Sequence, residues 1–142
     1  MENITALIMA AGTDDRMKSK KSKLAQPIYG KEVIKRVVNS VKKAGIEDIG
    51  VIVGENKEEI EAILKDGVKY IHQEQCLGTG HAIMQATEYL EKKSGRVLVL
   101  NGNIPLITGE TIKKVVEKSI KEDESATILT GMISEPKGYG RI

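Results

Sequence analysis

A doubly wound α/β domain with a mostly parallel sheet is the fold class the sequence predicts, and three observations carry that expectation. Short apolar runs alternate with amphipathic helical patterns at regular spacing, which is the signature of stacked βαβ units. The first run, Ile4 to Met9, passes directly into the small residues Ala10-Ala11-Gly12 and then into a charged segment reaching Lys23. A strand ending this way lets backbone N–H groups come close to a ligand at the sheet edge. A chain of 142 residues is also long enough for one domain with a single core.

The strands expected from the apolar runs are residues 3–9, 48–53, 68–72, 96–101 and 125–132, with helices between them. From Lys31 to Ala44, Val33, Ile34, Val37, Val38 and Val41 fall on one face at helical spacing, opposite Lys35, Arg36, Lys42 and Lys43, and Gly45 supplies the stop. Asn56 to Lys65 repeats the design with Ile60, Ile63 and Leu64 inward. Thr79 to Lys92 forms the third helix, with Ala82, Ile83, Ala86, Tyr89 and Leu90 inward. Thr108 caps the fourth, which runs to Ile120 and carries Thr111, Ile112, Val115 and Val116. Right-handed crossovers then place ligand loops at the carboxyl ends of the strands: Ala10-Ala11-Gly12, Gly54, Gln73 to Gly80, and Asn101 to Pro105.

Composition narrows the function classes. Hydrophobic residues make up 40% and charged residues 30%, with no Trp, no Phe and four Tyr, so the core is aliphatic and aromatic stacking on bases is not the driving force. The net charge of +2 argues against a nucleic-acid or membrane partner, although five basic residues fall between Arg16 and Lys23. The one cysteine, Cys76, excludes an internal disulfide, and no apolar run approaches the roughly 20 residues of a membrane span. An acidic residue at position 2 and a short, Thr-interrupted apolar run do not fit a secretory signal, so a cytoplasmic protein is expected.

Two loops carry candidate chemistry. In Gln73 to Ala82 the glycines permit close backbone approach, Thr79 is placed to cap the following helix, and the Gln73 amide is able to donate and accept toward a base edge such as that of uracil. A Gly-rich turn with a capping threonine fits the same residues. Asn101 to Leu106 follows a strand at a position suited to a divalent cation, yet Asn103 supplies only a neutral carbonyl where magnesium favours carboxylates; a plain loop before a helix cap is the alternative. His72 and His81 lack metal-ligand spacing. Cys76 has no activating partner in sequence and reads as a small loop hydrophobe.

In order along the chain, these loops resemble the sugar-1-phosphate nucleotidyltransferases, and within them the N-acetylglucosamine-1-phosphate uridyltransferase type. The family pattern L-A-A-G-x-G-T-R-M, with a Lys seven residues beyond its Arg, is met by Met9-Ala10-Ala11-Gly12-Thr13-Asp14-Asp15-Arg16-Met17 and Lys23. The pattern Q-x-x-Q-L-G-T-G-H-A is met by Gln73 to Ala82 with Cys76 at the second Gln. G-D-x-P-L is met by Gly102-Asn103-Ile104-Pro105-Leu106, and P-x-G-Y-G-R-I by Pro136 to Ile142. The resemblance implies a Rossmann-like nucleotidyltransferase fold. It further implies that Ala10, Ala11, Gly12, Gln73, Gly78 and Thr79 hold a uridine nucleotide, with Asn103 beside it at the family's Mg2+-binding Asp. Arg16 and Lys23 would act on the phosphates, and Gly140 would approach the sugar. UTP or a UDP-sugar and a sugar-1-phosphate are the implied partners.

Departures from the family concern chemistry more than fold. Asp14 and Asp15 replace a Gly and a Thr of the phosphate loop, Ser22 replaces the Pro of a Pro-Lys pair, and Asn103 replaces the metal Asp. Residues 1–142 are expected to form one nucleotide-binding domain without the family's further pocket-completing stretch or the β-helix acetyltransferase of its bifunctional members. Apolar surface left open in this way makes a homo-oligomer an expected partner state. Two readings stand side by side: an enzyme transferring a uridylyl group from UTP to a sugar-1-phosphate, and a catalytically impaired uridine-nucleotide-binding module or regulatory subunit. A dinucleotide oxidoreductase is disfavoured, because the glycine spacing after the first strand is wrong.

Overall fold

The computed structural model describes residues 3–13, 17–140 and 142. In chain order the elements are β1 (Ile4–Met9), a short 3-10 turn (Lys23–Ala25), β2 (Pro27–Ile28), β3 (Lys31–Glu32), α1 (Val33–Lys43), β4 (Asp48–Val53), α2 (Lys57–Leu64), β5 (Lys69–His72), α3 (Thr79–Met84), α4 (Thr87–Glu91), β6 (Arg96–Asn101) and α5 (Gly109–Lys121).

Four strands form one parallel sheet in the order β5-β4-β1-β6, with Ile8 opposite Val51, Leu7 opposite Val99 and Ile52 opposite Ile71. The chain winds outward from β1 through β4 to β5 and then returns to place β6 on the other side of β1. The crossover back from β5 to β6 runs through α3 and α4 on the face opposite α1, α2 and α5, so the loop after β5 diverges from the loops after β1 and β6, and such a reversal is where open α/β sheets form their ligand crevice. Because β1 is central and covered on both faces, its side chains split by the two-residue period of a strand. Ile4, Ala6 and Ile8 join α1 and α5 through Ile34, Val37, Val41, Ile112 and Val116, while Leu7 and Met9 join α3 and α4 through Ala82, Ala86, Tyr89 and Leu90. The expected doubly wound parallel architecture is borne out.

Three local expectations are corrected. Residues 125–132 form no strand: they are coil, and none of them makes a backbone hydrogen bond to another described residue outside the regular elements. Their β-branched composition is not enough, since a strand exists only with a ladder partner and a face to pack on. Beside them, Val97 and Val99 of β6 share the Leu7 face of the sheet but stay 45% and 38% exposed, because α3 and α4 do not extend over this edge strand. The helix expected from Thr79 to Lys92 is two helices. The end of α3 tightens into three-residue bonds, Gln85 to Ala82 and Ala86 to Ile83, and the Thr87 hydroxyl donates to the Met84 carbonyl at 2.6 Å, interrupting the helical ladder. Finally, Lys31 and Glu32 belong to a small antiparallel hairpin with Pro27 and Ile28 rather than to α1. Arg36 of α1 donates to the Ile28 carbonyl and holds that hairpin down.

At the amino end of the sheet, opposite the crevice, Asp48 is the hub of a polar clamp. Its carboxylate accepts from the Tyr89 hydroxyl at 2.5 Å and the Thr5 hydroxyl at 2.7 Å, and it pairs with the Lys93 ammonium at 3.0 Å. Lys93 also lies 4.9 Å from the Tyr89 ring centre. Partial burial pushes the Asp48 carboxyl up, but the hydrogen bonds from Tyr89, Thr5 and Lys93 outweigh it and hold the group below its ordinary value. Burial and the adjacent Asp48 carboxylate both push the Tyr89 phenol up. The clamp joins the end of α4 to β1 and β4, fixing the layer whose other end carries the loop Gln73 to Gly78.

Candidate functional site

Backbone ladders run one residue past the strands and splay the loops apart. Ala10 N–H donates to the Ile52 carbonyl, Gln73 N–H to the Val53 carbonyl and Gly102 N–H to the Met9 carbonyl, each at 2.8 Å. Small residues let these loops cross closely: a Cβ on Gly54 would lie 3.0 Å from the Ala11 carbonyl oxygen, and one on Gly102 3.0 Å from the Met9 oxygen. Between the loops lies a cleft of about 580 Å³. Its lining brings together Ala11, Gly12, Lys23, Gln73, Gly78, Thr79 and Asn103, seven residues expected from sequence.

Gly12 differs from the packing glycines. Nothing lies within 4 Å of the Cβ it lacks, and its backbone is not in the left-handed region. The fold does not demand glycine there, and the open space beside it belongs to the cleft. Gly78 is the opposite case. With φ 105° and ψ 176° it occupies a conformation that only glycine adopts without strain, and it turns the chain from β5 into α3.

Gln73 is 3% exposed, and its amide nitrogen lies 2.8 Å from His81 Nδ1. The Cys76 thiol donates to the Ala11 carbonyl across 3.2 Å, joining the Gln73 loop to the β1 loop. Asn56 ties three loops together: its Nδ2 donates to the Ala10 carbonyl at 2.8 Å and to Ser22 Oγ at 3.3 Å, and its Oδ1 accepts from Gly54 N–H at 3.2 Å. The Ser22 N–H donates to Glu59 Oε2 at 3.0 Å, a bond that a proline at this position would lack. Lys23 follows directly and is the one charged side chain among the described residues that line the cleft.

Some expectations fall elsewhere. Arg16, Asp14 and Asp15 lie outside the described residues. Ala10 is buried beneath the cleft and contributes through its backbone. Gly140 sits in exposed coil and does not line the cleft. Thr79 is the first residue of α3 rather than its cap; that place is taken by Gly78, which has no side-chain oxygen to accept from the first-turn N–H groups. Sequence reasoning missed Asn56, His81, Cys76 and Asn101 as parts of the site. A polar side chain two residues after a Gly at a strand's carboxyl end is the available signal for Asn56, but the same residue also reads as the start of a helix.

Residues at the cation position do not form a resident metal cage. Asn101 and Asn103 offer neutral groups, and no cluster of three His, Cys, Asp or Glu side chains suited to a metal exists among the described residues. Among those residues there is also no helix long and apolar enough to cross a membrane.

The comparisons with known proteins agree with this geometry. The bifunctional protein GlmU of Acetivibrio thermocellus is 47% identical over all 142 residues, which span 31% of that protein's length. A nucleotidyl transferase from Methanothermobacter superposes with a TM-score of 0.69 at 21% identity, covering 82% of this chain and 58% of the other. A Mycobacterium tuberculosis protein crystallised in complex with manganese gives 0.68 at 17% identity, covering 81% of this chain and 58% of the other. The MobA-like NTP transferase domain matches residues 6–136. With the crevice at the sheet reversal, the glycine-turned loop after β5 and a match across nearly its whole length, this chain belongs to the MobA-like NTP transferase domain family.

Proposed function

We propose that the cleft binds a uridine nucleotide and that the chain carries the nucleotide half of a sugar-1-phosphate uridylyltransferase. The observation that supports this reading is the buried, oriented amide of Gln73 facing the backbone of Ala11 and Gly12 across a cleft whose one described charge is Lys23. A planar base with alternating donors and acceptors suits the amide and the backbone, and the ammonium suits a phosphate. Gly78 and Thr79 complete the base and ribose side.

In the transfer, an oxygen of the sugar phosphate attacks the α-phosphorus of UTP. The bond from that phosphorus to the bridging oxygen breaks, and pyrophosphate departs with the electron pair. Positioning and cationic stabilisation carry such a reaction. Lys23 is placed to neutralise charge on the phosphates, and Arg16 is assigned the same task from the family pattern. Gly140 is assigned to the sugar on the same ground.

A second reading, a nucleotide-binding module with impaired turnover, is favoured by the uncharged Asn101 and Asn103 where a cation would need carboxylates. A pyrophosphate-release assay with UTP and N-acetylglucosamine-1-phosphate, with and without magnesium, separates the two. Turnover at ordinary enzymatic rates supports the first reading. Tight UMP binding without pyrophosphate release supports the second, and binding of ATP equal to that of UTP overturns both.

A further inference from the structure

We infer that His81 decides which end of the Gln73 amide meets the base, and so acts as a positioning residue for the choice between uracil and cytosine; this rests on the nucleotide reading above. A carboxamide nitrogen is a donor only, so the Gln73 nitrogen 2.8 Å from His81 Nδ1 requires that ring nitrogen to carry a lone pair. The ring is then neutral with its proton on Nε2. Gln85 Nε2 lies 3.2 Å from His81 Nε2, but a neutral imidazole has one lone-pair nitrogen, already taken; the Gln85 amide donates instead to the His81 carbonyl at 3.3 Å. No buried side-chain polar atom among the described residues lacks a partner, so Gln73 Oε1 is not sealed in the core. With the nitrogen held by His81, the oxygen is the atom left for the cleft that Gln73 lines.

An acceptor in that place matches the N3–H of uracil and opposes the N3 lone pair of cytosine. Protonation of the ring reverses the arrangement, because both nitrogens of an imidazolium donate. Nδ1–H then needs the Gln73 oxygen, the amide turns over, and its NH2 faces the cleft, which suits cytosine and opposes uracil. The titratable groups on the surrounding elements are Lys69, Tyr70 and His72 on β5, Glu74 and Cys76 in the loop, Glu88, Tyr89 and Glu91 on α4, and Lys23 on the cleft wall, while β1 contributes none. Among the described residues, the polar atoms within hydrogen-bonding distance of the ring nitrogens are the two glutamine amide nitrogens, and only that of Gln73 finds a lone pair there.

The test measures UMP and CMP affinity by calorimetry on the full chain at about pH 8 and about pH 5.5, spanning the range in which imidazoles titrate. The affinity ratio cancels the titration of the phosphate that both ligands share. Wild-type protein is expected to favour UMP by on the order of tenfold at the higher pH and to lose that preference at the lower. His81→Asp presents an acceptor-only oxygen at the same branch position as Nδ1, so it should keep the preference at both pH values. His81→Ala should bring the ratio to within about threefold at either pH, as expected for loss of one oriented hydrogen bond. An undiminished preference in His81→Ala overturns the inference while leaving the nucleotide reading standing. Failure of wild-type protein to bind either nucleotide overturns both. Without any ligand, ring ¹⁵N shifts should show the Nε2–H tautomer at the higher pH, and the Nδ1–H tautomer there overturns the inference by itself.

Discussion

The Asn56 side-chain amide reaches across the carboxyl edge of the sheet and donates to the Ala10 carbonyl over 2.8 Å. That one bond couples the loop after β4 to the loop after β1, and the same side chain also holds Ser22 and the Gly54 N–H. Asn56→Ala removes all three contacts while leaving a half-buried site that water re-enters. It should cost about 1–3 kcal/mol in urea denaturation and weaken UMP binding more than a surface Asn→Ala control does, since Ala10 to Gly12 lose their brace.

Glycines at the cleft should separate fold from binding. Gly12→Ala meets no atom within 4 Å and no left-handed backbone, so stability should stay within about 0.5 kcal/mol of wild type. Its methyl group would enter the space beside the β1 loop, and nucleotide affinity should fall about tenfold or more. A variant that binds normally places the ligand away from this loop.

Gly78→Ala should behave differently. No neighbour obstructs its Cβ, but φ 105° imposes strain on any other residue, at about 1–3 kcal/mol. Thermal unfolding should drop by several degrees, and binding should weaken because the Gln73 loop relaxes. Unchanged melting would show that the turn rearranges freely.

The clamp at the amino end predicts a pH dependence with two limbs. The Asp48 carboxyl is held below its ordinary value, so its contribution is complete above the unfolded value of about 3.9 and is lost as pH falls through the lower folded value. The Tyr89 phenol is pushed up, so its contribution is complete below about pH 10 and is lost as pH rises beyond it. Tyr89→Phe should cost about 1–2 kcal/mol at neutral pH. It should also flatten both limbs in denaturation curves taken between pH 2 and 11. Limbs of wild-type steepness in that variant would assign the pH dependence to other groups.

Charge at the cation position is open to a gain-of-function test. Asn103→Asp supplies the carboxylate that hard cations favour and should raise magnesium-dependent UTP affinity about tenfold, near 1.4 kcal/mol. The combined change Asp14→Gly with Asp15→Thr restores the family pattern and should act in the same direction if, as that pattern implies, the two carboxylates oppose the triphosphate. Isothermal titration with and without magnesium reads both effects, and no gain from either variant would count against missing cation-binding charge as the cause of impaired turnover.

Much of the architecture was legible in the chain because the relevant signals are local. The apolar runs at Ile4 to Met9 and Asp48 to Val53, and the period of Val33, Ile34, Val37, Val38 and Val41, each report the solvent on either side of one element. Once those elements alternate as strand and helix, the handedness of crossovers and the reversal of strand order place Gly12, Gln73, Gly78 and Asn103 at one edge. Those steps need no knowledge of which side chain touches which.

What the tertiary structure alone decided are the contacts between residues far apart in sequence or dependent on orientation. Asn56 meets Ala10 across 46 positions and Cys76 meets Ala11 across 65. The split between α3 and α4 turns on one hydroxyl, Thr87, finding the Met84 carbonyl. Residues 125–132 carry strand composition, but a strand needs a partner edge, and composition cannot supply one. The orientation of the Gln73 amide depends on a histidine one helical turn into α3, because hydrogen-bond direction is a property of paired atoms in space and leaves no periodic trace in the chain.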